Sequence, residues 1–195
     1  MKSPYSIVLA SSSPFRRELL ARSGLEFECE SPEIDESPRP NESPEDLVTR
    51  LSVAKALKVA EGRSGTLVIG SDQVAEHAGI IVGKPADHDE AIRHLLSASG
   101  NRITLYTGLA LHNTETGRTQ TAVDPFYVTF REIDREIIER YLAFEKPYNC
   151  CGSVKAEGAG ISLIRSLSGN DPNSLIGLPM IRLCEMLNVE GVTLF

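Results

Sequence analysis

Several patterns that mark common classes of protein are missing from this sequence. No stretch approaches the roughly 18 consecutive apolar residues that a membrane-spanning helix needs. The apolar run near the start is too short to predict a signal peptide. The chain is not basic either, because 20 Lys and Arg stand beside 27 Asp and Glu, a formal net charge of −7. Proteins that bind DNA or RNA polymers usually need a basic face, so we expect neither a nucleic-acid polymer nor a membrane as a partner.

Cysteine and histidine are few, and they lack the spacing of zinc sites. The four cysteines contain no C-x-x-C pair, and the four histidines contain no H-x-x-x-H pair. A zinc hydrolase is therefore not expected. The cysteine pattern fits reduced thiols, and we predict a cytoplasmic protein.

What the sequence does contain is a mixture of short strands and helices. Its 195 residues, 41% of them hydrophobic, suit one domain with a full core. Predicted strands span 5–10, 25–29, 66–71, 79–82, 102–112, 119–130 and 161–167, and predicted helices span 14–23, 45–61, 88–98, 134–145 and 178–188. We predict an α/β fold over residues 1–195, a single domain with a mixed, partly antiparallel sheet flanked by helices.

The stretch Ser11-Ser-Ser-Pro-Phe-Arg-Arg has the chemistry of a phosphate site. It follows the first predicted strand, and Ser13 and Pro14 are typical of a helix N-cap and of the first helical position. The start of a helix offers unpaired N–H groups and a partial positive charge, to which Arg16 adds. An ordinary helix start with solvated arginines would look the same, and the residues alone leave both interpretations open.

Two later segments suggest charged groups around a ligand. Glu33 and Asp35 would point to the same side of an extended chain, as paired carboxylates do around Mg²⁺ or Mn²⁺. Lys55 falls in the apolar arc of its predicted helix, where a lysine either reaches out to water or meets an anion. A solvated acidic loop and a solvent-reaching lysine are the plain alternatives.

A carboxylate and a lysine follow the buried run at 66–71. Asp72 is predicted at a strand end, where α/β proteins place ligand groups, and it suits a metal ligand or a general base. Lys84 lies between Gly83 and Pro85, in a tight turn where it can offset charge on a phosphate. A turn with an exposed lysine is the alternative for Lys84.

Two loops late in the chain are rich in glycine. One runs over 151–160 and carries Lys155 and Glu157, and the other, at 169–179, opens the last predicted helix. Glycine permits a close approach of the backbone to a ligand. Plain turns have the same composition, so both interpretations stay open.

Taken in order, these segments resemble one family, the Maf nucleoside triphosphate pyrophosphatases. The matching stretches are "LASSSPFRRELL", "PEIDESP", "AKA", "GSDQV", "GKP", "YTGLAL", "GSVKAEGAGISL" and "DPNSLIGLP". They run from about residue 7 to about residue 187, nearly the whole chain. Eight motifs in order are far more specific than any one of them.

The resemblance implies a fold, a reaction and a set of site residues. The fold would be an elongated α/β domain with a central cleft, often in a homodimer. The reaction would be hydrolysis of a nucleoside triphosphate between its α and β phosphates, with Mg²⁺ or Mn²⁺. The family's catalytic aspartate falls on Asp72, which would also contact the metal, and its acidic metal-side residue falls on Glu33. The phosphate-binding roles fall on Ser11, Ser13, Arg16, Lys55 and Lys84.

Three positions are similar to the branch of the family that acts on 7-methyl-GTP. Phe15, Gln73 and Glu157 stand where the branch acting on dTTP and UTP has arginine, threonine and glutamine. A 7-methylguanine ring is cationic, so Phe15 can stack on it, and Glu157 can accept hydrogen bonds from its N1–H and exocyclic amine. The resemblance therefore predicts a house-cleaning enzyme that converts 7-methyl-GTP to 7-methyl-GMP and pyrophosphate.

Two other functions stay open at this point. One is the same reaction on dTTP, UTP or another nucleotide, against which Phe15 and Glu157 argue. The other is a nucleotide-binding regulator of cell division without turnover. The second does not explain Asp72, because a pure binder has no need of an acid that activates water.

Overall fold

The structure is a computed structural model that describes residues 4–194. Its strands are β1 (Ser6–Ala10), β2 (Glu28–Glu30), β3 (Thr66–His77), β4 (Ile80–Val82), β5 (Arg102–Asn113), β6 (Thr119–Phe130) and β7 (Ile164–Gly169). Its helices are α1 (Pro14–Ala21), α2 (Pro44–Ala60), α3 (His88–Ala98), α4 (Arg135–Glu145), α5 (Pro172–Ile176) and α6 (Met180–Val189). Two 3-10 helices, Cys151–Ser153 and Ala159–Leu163, precede β7. Within 4–194, no helix has the length and apolar character needed to cross a membrane.

The strands of the described chain form one mixed sheet. Six follow the order β2-β1-β3-β5-β6-β7, and β4 pairs with β3. Strand β1 runs parallel to β2 and β3, whereas β4 is antiparallel to β3 and β7 is antiparallel to β6. The predicted α/β fold with a mixed, partly antiparallel sheet and flanking helices is confirmed.

The chain divides into two compact units. The first comprises the chain up to Asp72, Thr107–Asp124 and the chain from Asp171 onwards. The second comprises Gln73–Tyr106 and Pro125–Asn170. Strands β3, β5 and β6 each contribute residues to both units. The single domain over 1–195 stays a prediction.

Strand β1, in the first unit, is buried on both of its faces. Ile7 and Leu9 belong to an apolar cluster with side chains of α1 and α6. Val8 and Ala10 belong to a second cluster with side chains of α2. Successive side chains of a strand point to opposite faces, so a continuous apolar run such as this one is typical of a buried parallel strand.

Helix α2 lies directly on the backbone of β3 and β5. A Cβ atom added to Gly70 would lie 2.1 Å from the carbonyl oxygen of Ser52, and one added to Gly108 would lie 2.4 Å from that of Val48. Only glycine leaves room for the helix at these two points. The close approach fixes where the next turn of α2, with Lys55, meets the sheet.

In the sequence of β6, the apolar residues Phe126, Val128 and Phe130 alternate with Tyr127 and Thr129, which predicts a strand with one buried face. Phe126, Val128 and Phe130 are at most 4% exposed, while Tyr127 and Thr129 are partly exposed. A period of two in the sequence therefore predicted which face of β6 is buried.

Strand β3 is longer than predicted, which corrects the placement of Asp72. The strand continues to His77, so Asp72 lies within it rather than at its end. Val74 and Ala75 are buried, and Ala75 pairs with Val82 of β4, so strand pairing continues past the carboxylate. Sequence reasoning ended the strand at the first charged residue, although a charged residue inside a long strand can be buried.

The region before the last helix also differs from the prediction. The predicted strand at 161–167 begins as a 3-10 helix, and β7 starts at Ile164. A short helix, α5, stands where a loop was predicted. Asp171 caps it by accepting a hydrogen bond from the N–H of Asn173 at 2.8 Å, and Pro172 takes its first position.

Candidate active site

The start of α1 has the predicted cap. Ser13 is the N-cap residue, and its hydroxyl oxygen accepts a hydrogen bond from the N–H of Arg16 at 3.4 Å. The Ser11 hydroxyl oxygen accepts one from the N–H of Ser13 at 3.1 Å. Ser11 is 7% exposed and directly follows β1, while Pro14 opens the helix. The local sequence thus sets the serine hydroxyls against the backbone at one helix terminus.

Arg16 is oriented by a distant part of the first unit. Its Nε donates a hydrogen bond to the carbonyl oxygen of Gly177 at 2.7 Å. The Ser71 hydroxyl lies 3.0 Å from the same carbonyl and 2.7 Å from that of Gly108. Gly177 ends α5 with φ of 115°, a conformation that favours glycine. The loop after α5 therefore holds the guanidinium in place, which the sequence did not indicate.

Lys55 and Asp72 form a buried ion pair in the first unit. The ammonium Nζ lies 2.6 Å from Oδ1 of Asp72, and the two residues are 5% and 6% exposed. The same Nζ lies 2.8 Å from Oε1 of Glu36. Lys55 thus contacts anions within the apolar arc of α2. This matches the interpretation that it meets an anion rather than the alternative that it reaches out to water. Removing one partner of such a buried pair typically costs about 3–5 kcal/mol.

Glu36 is the charged residue that sequence reasoning missed. Glu33 and Asp35 were singled out because they would share one side of an extended chain, and residues 31–39 form no strand or helix in the structure. Glu33 is exposed, and its charge acts on Lys58, whose pKa is raised first by a hydrogen bond to Glu61 and further by Glu33. Asp35 accepts a hydrogen bond from the N–H of Ser37 at 2.9 Å. Alternation does not apply to an irregular segment, so it gave no signal for Glu36.

An arginine on α2 fastens the acidic segment. Arg50 forms a two-pronged pair with Glu42, with Nε 2.6 Å from Oε1 and Nη2 2.8 Å from Oε2. Nη2 also donates to the carbonyl oxygen of Ser37 at 3.1 Å. The hydrogen bond from Arg50 lowers the pKa of Glu42 to about 2. Hydrogen bonding by Glu42 raises the pKa of Arg50, and the charge of Asp72 adds to this. The segment that carries Glu36 is thereby tied to the helix that carries Lys55.

The carboxylates of Asp72 and Glu36 fit a metal ion that takes only some of its ligands from the protein. In residues 4–194 there is no group of three or more His, Cys, Asp or Glu side chains that could hold a metal ion by themselves. Asp72 and Glu36 do converge on one ammonium, within 2.8 Å of it. Mg²⁺ is usually held by one or two carboxylates, with water and substrate phosphates as the other ligands. The carboxylates of the first unit fit that pattern.

Of the remaining predicted residues, Phe15 is half-buried in α1, in the first unit, whereas Gln73, Lys84 and Glu157 lie in the second unit. Gln73 is half-buried in β3, and its carbonyl oxygen accepts a hydrogen bond from Sγ of Cys151 at 3.2 Å. Lys84 is exposed, and the carbonyl oxygen of its neighbour Gly83 accepts a hydrogen bond from the N–H of Gly152 at 3.1 Å. The backbone of 151–152 therefore links the segments of Gln73 and Lys84.

Glu157 is exposed in the loop that follows. It lies six residues after Cys151, in the same glycine-rich stretch. Hydrogen bonds from Cys151 and Gly152 thus join the segments of Gln73 and Lys84 to the glycine-rich stretch in which Glu157 follows. The roles of these residues stay predictions.

Comparison with known proteins assigns the chain to a family. The family model described as "Maf-like protein" matches residues 6–190. A protein of Pseudomonas syringae pv. tomato named 7-methyl-GTP pyrophosphatase is 57% identical over 188 residues, which cover 96% of this chain and 98% of that protein. Proteins of the same name from Alcanivorax borkumensis and Pseudomonas aeruginosa are 53% and 54% identical, over 97% and 95% of this chain and 96% and 97% of their own lengths.

Proposed function

This chain belongs to the Maf family, and we propose that it is a nucleotide pyrophosphatase that hydrolyses 7-methyl-GTP to 7-methyl-GMP and pyrophosphate. Relatives that are more than half identical over nearly the whole chain carry the name of that activity. The observation that carries the proposal is the buried ion pair of Lys55 and Asp72, in which the half-exposed Glu36 is a second partner of the ammonium. A protein tolerates such charges in its interior where they serve a ligand or a reaction.

In the proposed reaction Asp72 acts on water. The water oxygen forms a bond to a phosphorus of the α–β anhydride, the bridging P–O bond breaks, and the proton of the water passes to the carboxylate. The ion pair to Lys55 fixes the direction of the Asp72 side chain. Because the pair is almost fully buried, its geometry is set before the substrate arrives.

Lys55 has a second task in this proposal. Its ammonium is shared by two carboxylates, of which Glu36 is half-exposed, with 55% of its side chain accessible. If a phosphate group of the triphosphate replaced the Glu36 carboxylate, it would lie a short distance from Nζ of Lys55. Charge on the leaving pyrophosphate would then be offset by a cation that Asp72 already holds in place.

The carboxylates of the first unit would also hold the metal that the resemblance implies. Asp72 and Glu36 are the donors that the geometry favours, and Glu33 remains the donor that the resemblance named. A divalent cation bound there, Mg²⁺ or Mn²⁺, would act as a Lewis acid on the phosphate oxygens. Removal of divalent cations with a chelator is expected to stop pyrophosphate release, and added Mg²⁺ is expected to restore it.

The start of α1 is proposed to bind phosphate. Ser11 and Ser13 line the helix terminus, and Arg16 is oriented by the Gly177 carbonyl. Helix N-termini favour anions through their N–H groups and dipole. Lys84, in the second unit, keeps the phosphate-binding role that the resemblance gives it.

Three residues are proposed to select the base. Phe15 is half-buried in α1, Gln73 is half-buried in β3, and Glu157 is exposed in its loop. A positively charged 7-methylguanine ring is attracted more strongly by an aromatic face and by a carboxylate than neutral thymine or uracil is. The proposed preference is therefore for 7-methyl-GTP over dTTP and UTP.

The test is a panel of triphosphates with the full-length protein and Mg²⁺. The panel holds 7-methyl-GTP, GTP, dTTP, UTP and CTP, and kcat/KM is measured for each. The proposal expects the highest value with 7-methyl-GTP. A preference for dTTP or UTP would contradict the base assignment while leaving the reaction in place. Tight binding of nucleotide without turnover would contradict the enzyme itself and favour a regulator.

We also propose a homodimer, because the family resemblance implies one, and a cytoplasmic location, because the cysteine pattern fits reduced thiols. Sedimentation at micromolar concentration is expected to give twice the mass of the chain. A sedimenting species of single-chain mass would contradict the dimer and leave the catalytic proposal untouched.

A further inference from the structure

Helix α4 holds the loop that carries Glu157. This loop, residues 155–160, is called the late loop here. Two side chains near the end of α4 contact it, those of Tyr141 and Glu145. None of the motifs in the sequence includes either residue, and the proposed function gives them no role.

Glu145 makes two polar contacts with the late loop. Its Oε2 accepts a hydrogen bond from the N–H of Ala159 at 2.6 Å, and its Oε1 lies 3.0 Å from Nζ of Lys155. The side chain is 11% exposed. The hydrogen bond from Ala159 lowers the pKa of Glu145, and the contacts with Lys155 lower it further. One carboxylate therefore clamps the two ends of the late loop.

The backbone of the late loop lies close to the carboxylate of Glu145. A Cβ atom added to Gly158 would lie 2.6 Å from Oε2 of Glu145. On the same helix, the hydroxyl oxygen of Tyr141 accepts a hydrogen bond from the N–H of Lys155 at 2.9 Å. Burial raises the pKa of Tyr141, so the phenol is neutral at physiological pH. The backbone on both sides of Glu157 is thus held by α4.

Glu145 also affects the ammonium of Lys155, which is two residues from Glu157 in the chain. Hydrogen bonding to Glu145 and its charge raise the pKa of Lys155, and the charge of Glu157 adds to this. Lys155 therefore lies within the electrostatic reach of both carboxylates. Without Glu145, the Lys155 ammonium keeps an anion within electrostatic reach, the carboxylate of Glu157, whose charge already acts on it.

We propose that Glu145 is a positioning residue for base selection. It fixes the late loop through Ala159 and engages the Lys155 ammonium, so that the carboxylate of Glu157 is available to a cationic purine ring. The inference rests on the proposed function, since it takes from it the role of Glu157. In this proposal Glu145 does not touch the substrate but acts through Ala159 and Lys155.

Four variants separate the hydrogen bond from the charge. Glu145→Ala removes both, whereas Glu145→Gln keeps an acceptor for Ala159 and removes the charge. Lys155→Met in the Glu145→Gln background removes the ammonium that would turn to Glu157. Glu136→Gln is the matched control, because Glu136 is on the same helix but is exposed and pairs with Arg140 at 3.5 Å.

Two readouts are made on the full-length protein. Hydrogen exchange over 155–160 reports the loop, and KM and kcat for 7-methyl-GTP report base selection. Glu145→Ala is expected to lose exchange protection at Ala159 and to raise KM about tenfold, with kcat within about twofold. Glu145→Gln is expected to keep most of the protection and still raise KM severalfold. The double variant is expected to bring KM back towards the wild-type value, and Glu136→Gln to change neither readout.

The outcomes distinguish this inference from the proposed function. Unchanged exchange at Ala159 in Glu145→Ala would overturn the clamp, whatever the substrate. Lost protection with unchanged KM would overturn the role in base selection. If the wild-type protein hydrolyses only another triphosphate, the proposed substrate is wrong, and KM for that nucleotide becomes the readout, which Glu145→Ala must raise. If the wild-type protein hydrolyses none, the proposed function and this role both fall, while exchange still reports whether the clamp exists.

Discussion

Each unit of the molecule holds a lysine beside carboxylates, and the two groups differ in exposure. Lys55 contacts Asp72 and Glu36 and is 5% exposed. Lys155 contacts Glu145, and 32% of its side chain is exposed. Charges interact strongly and are costly to leave unpaired in the interior, while water weakens both effects at the surface. The first group therefore suits chemistry that needs fixed geometry, and the second suits the tuning of recognition.

Loss of the buried carboxylate is expected to have the largest effect. Asp72→Asn keeps the shape of the side chain but removes the base, so turnover should fall by a factor of about 10² to 10⁴. Pyrophosphate release under saturating 7-methyl-GTP measures it, and circular dichroism checks that the fold is kept. Activity near that of the wild type would show that Asp72 is not the residue that acts on water.

The two lysines provide the sharpest comparison of stability. Lys55→Met leaves Asp72 and Glu36 without their shared cation, and the free energy of unfolding should fall by about 3–5 kcal/mol. Lys155→Met breaks a partly exposed pair and should cost less than about 1 kcal/mol. Urea unfolding of both variants measures the difference. Equal losses would mean that burial does not distinguish the two groups.

Two of the acidic residues of the segment, Glu36 and Glu33, can be compared to find which one belongs to the site. Glu36→Gln removes a carboxylate that contacts Lys55, and we expect activity to fall about 10- to 100-fold, with more Mg²⁺ needed for half-maximal rate. Glu33→Gln is the matched control on the same segment, and a smaller loss is expected. A larger loss of activity in Glu33→Gln than in Glu36→Gln would favour Glu33, which the resemblance named, over Glu36, which the geometry indicates.

The smallest expected effect is a pH dependence of stability. The pKa of Glu42 is lowered to about 2 by Arg50, from an ordinary value of 4.5. Because the pKa of Glu42 is lower in the folded protein than in the unfolded chain, the ionised carboxylate stabilises the fold at pH values above the unfolded pKa of about 4.5. This stabilisation is lost as the pH falls from about 4.5 through about 2. Unfolding of the wild type and Glu42→Gln between pH 7 and pH 2 measures it. The variant should show a flatter dependence, and parallel curves would contradict the role of the pair.

Local features of the site could be predicted from sequence because they depend on neighbours in the chain. The cap at Ser13 and Pro14 was predicted correctly, since an N-cap needs only a few adjacent residues. Lys55 was noted as a charged residue in an apolar arc, where it would either reach out to water or meet an anion, and in the structure it contacts two carboxylates. The buried face of β6 followed from a period of two.

The remainder depends on contacts that sequence spacing does not contain. Glu36 was missed because the alternation of an extended chain pairs Glu33 with Asp35, whereas it is Glu36 that contacts Lys55. The end of β3 was set too early because Asp72 is buried inside the strand. The Arg16 contact with Gly177 spans 161 residues of sequence. The clamp from Glu145 likewise joins a helix to a loop 14 residues away, and no motif marks it.

The most direct test of the account is to identify the products of 7-methyl-GTP hydrolysis. The purified full-length protein is incubated with Mg²⁺ and 7-methyl-GTP, and the phosphorus-containing products are separated and identified by phosphorus NMR, with Asp72→Asn as the control. We expect equal amounts of pyrophosphate and 7-methyl-GMP from the wild type and almost none from the variant. Release of inorganic phosphate with 7-methyl-GDP, or equal turnover by the variant, would contradict it.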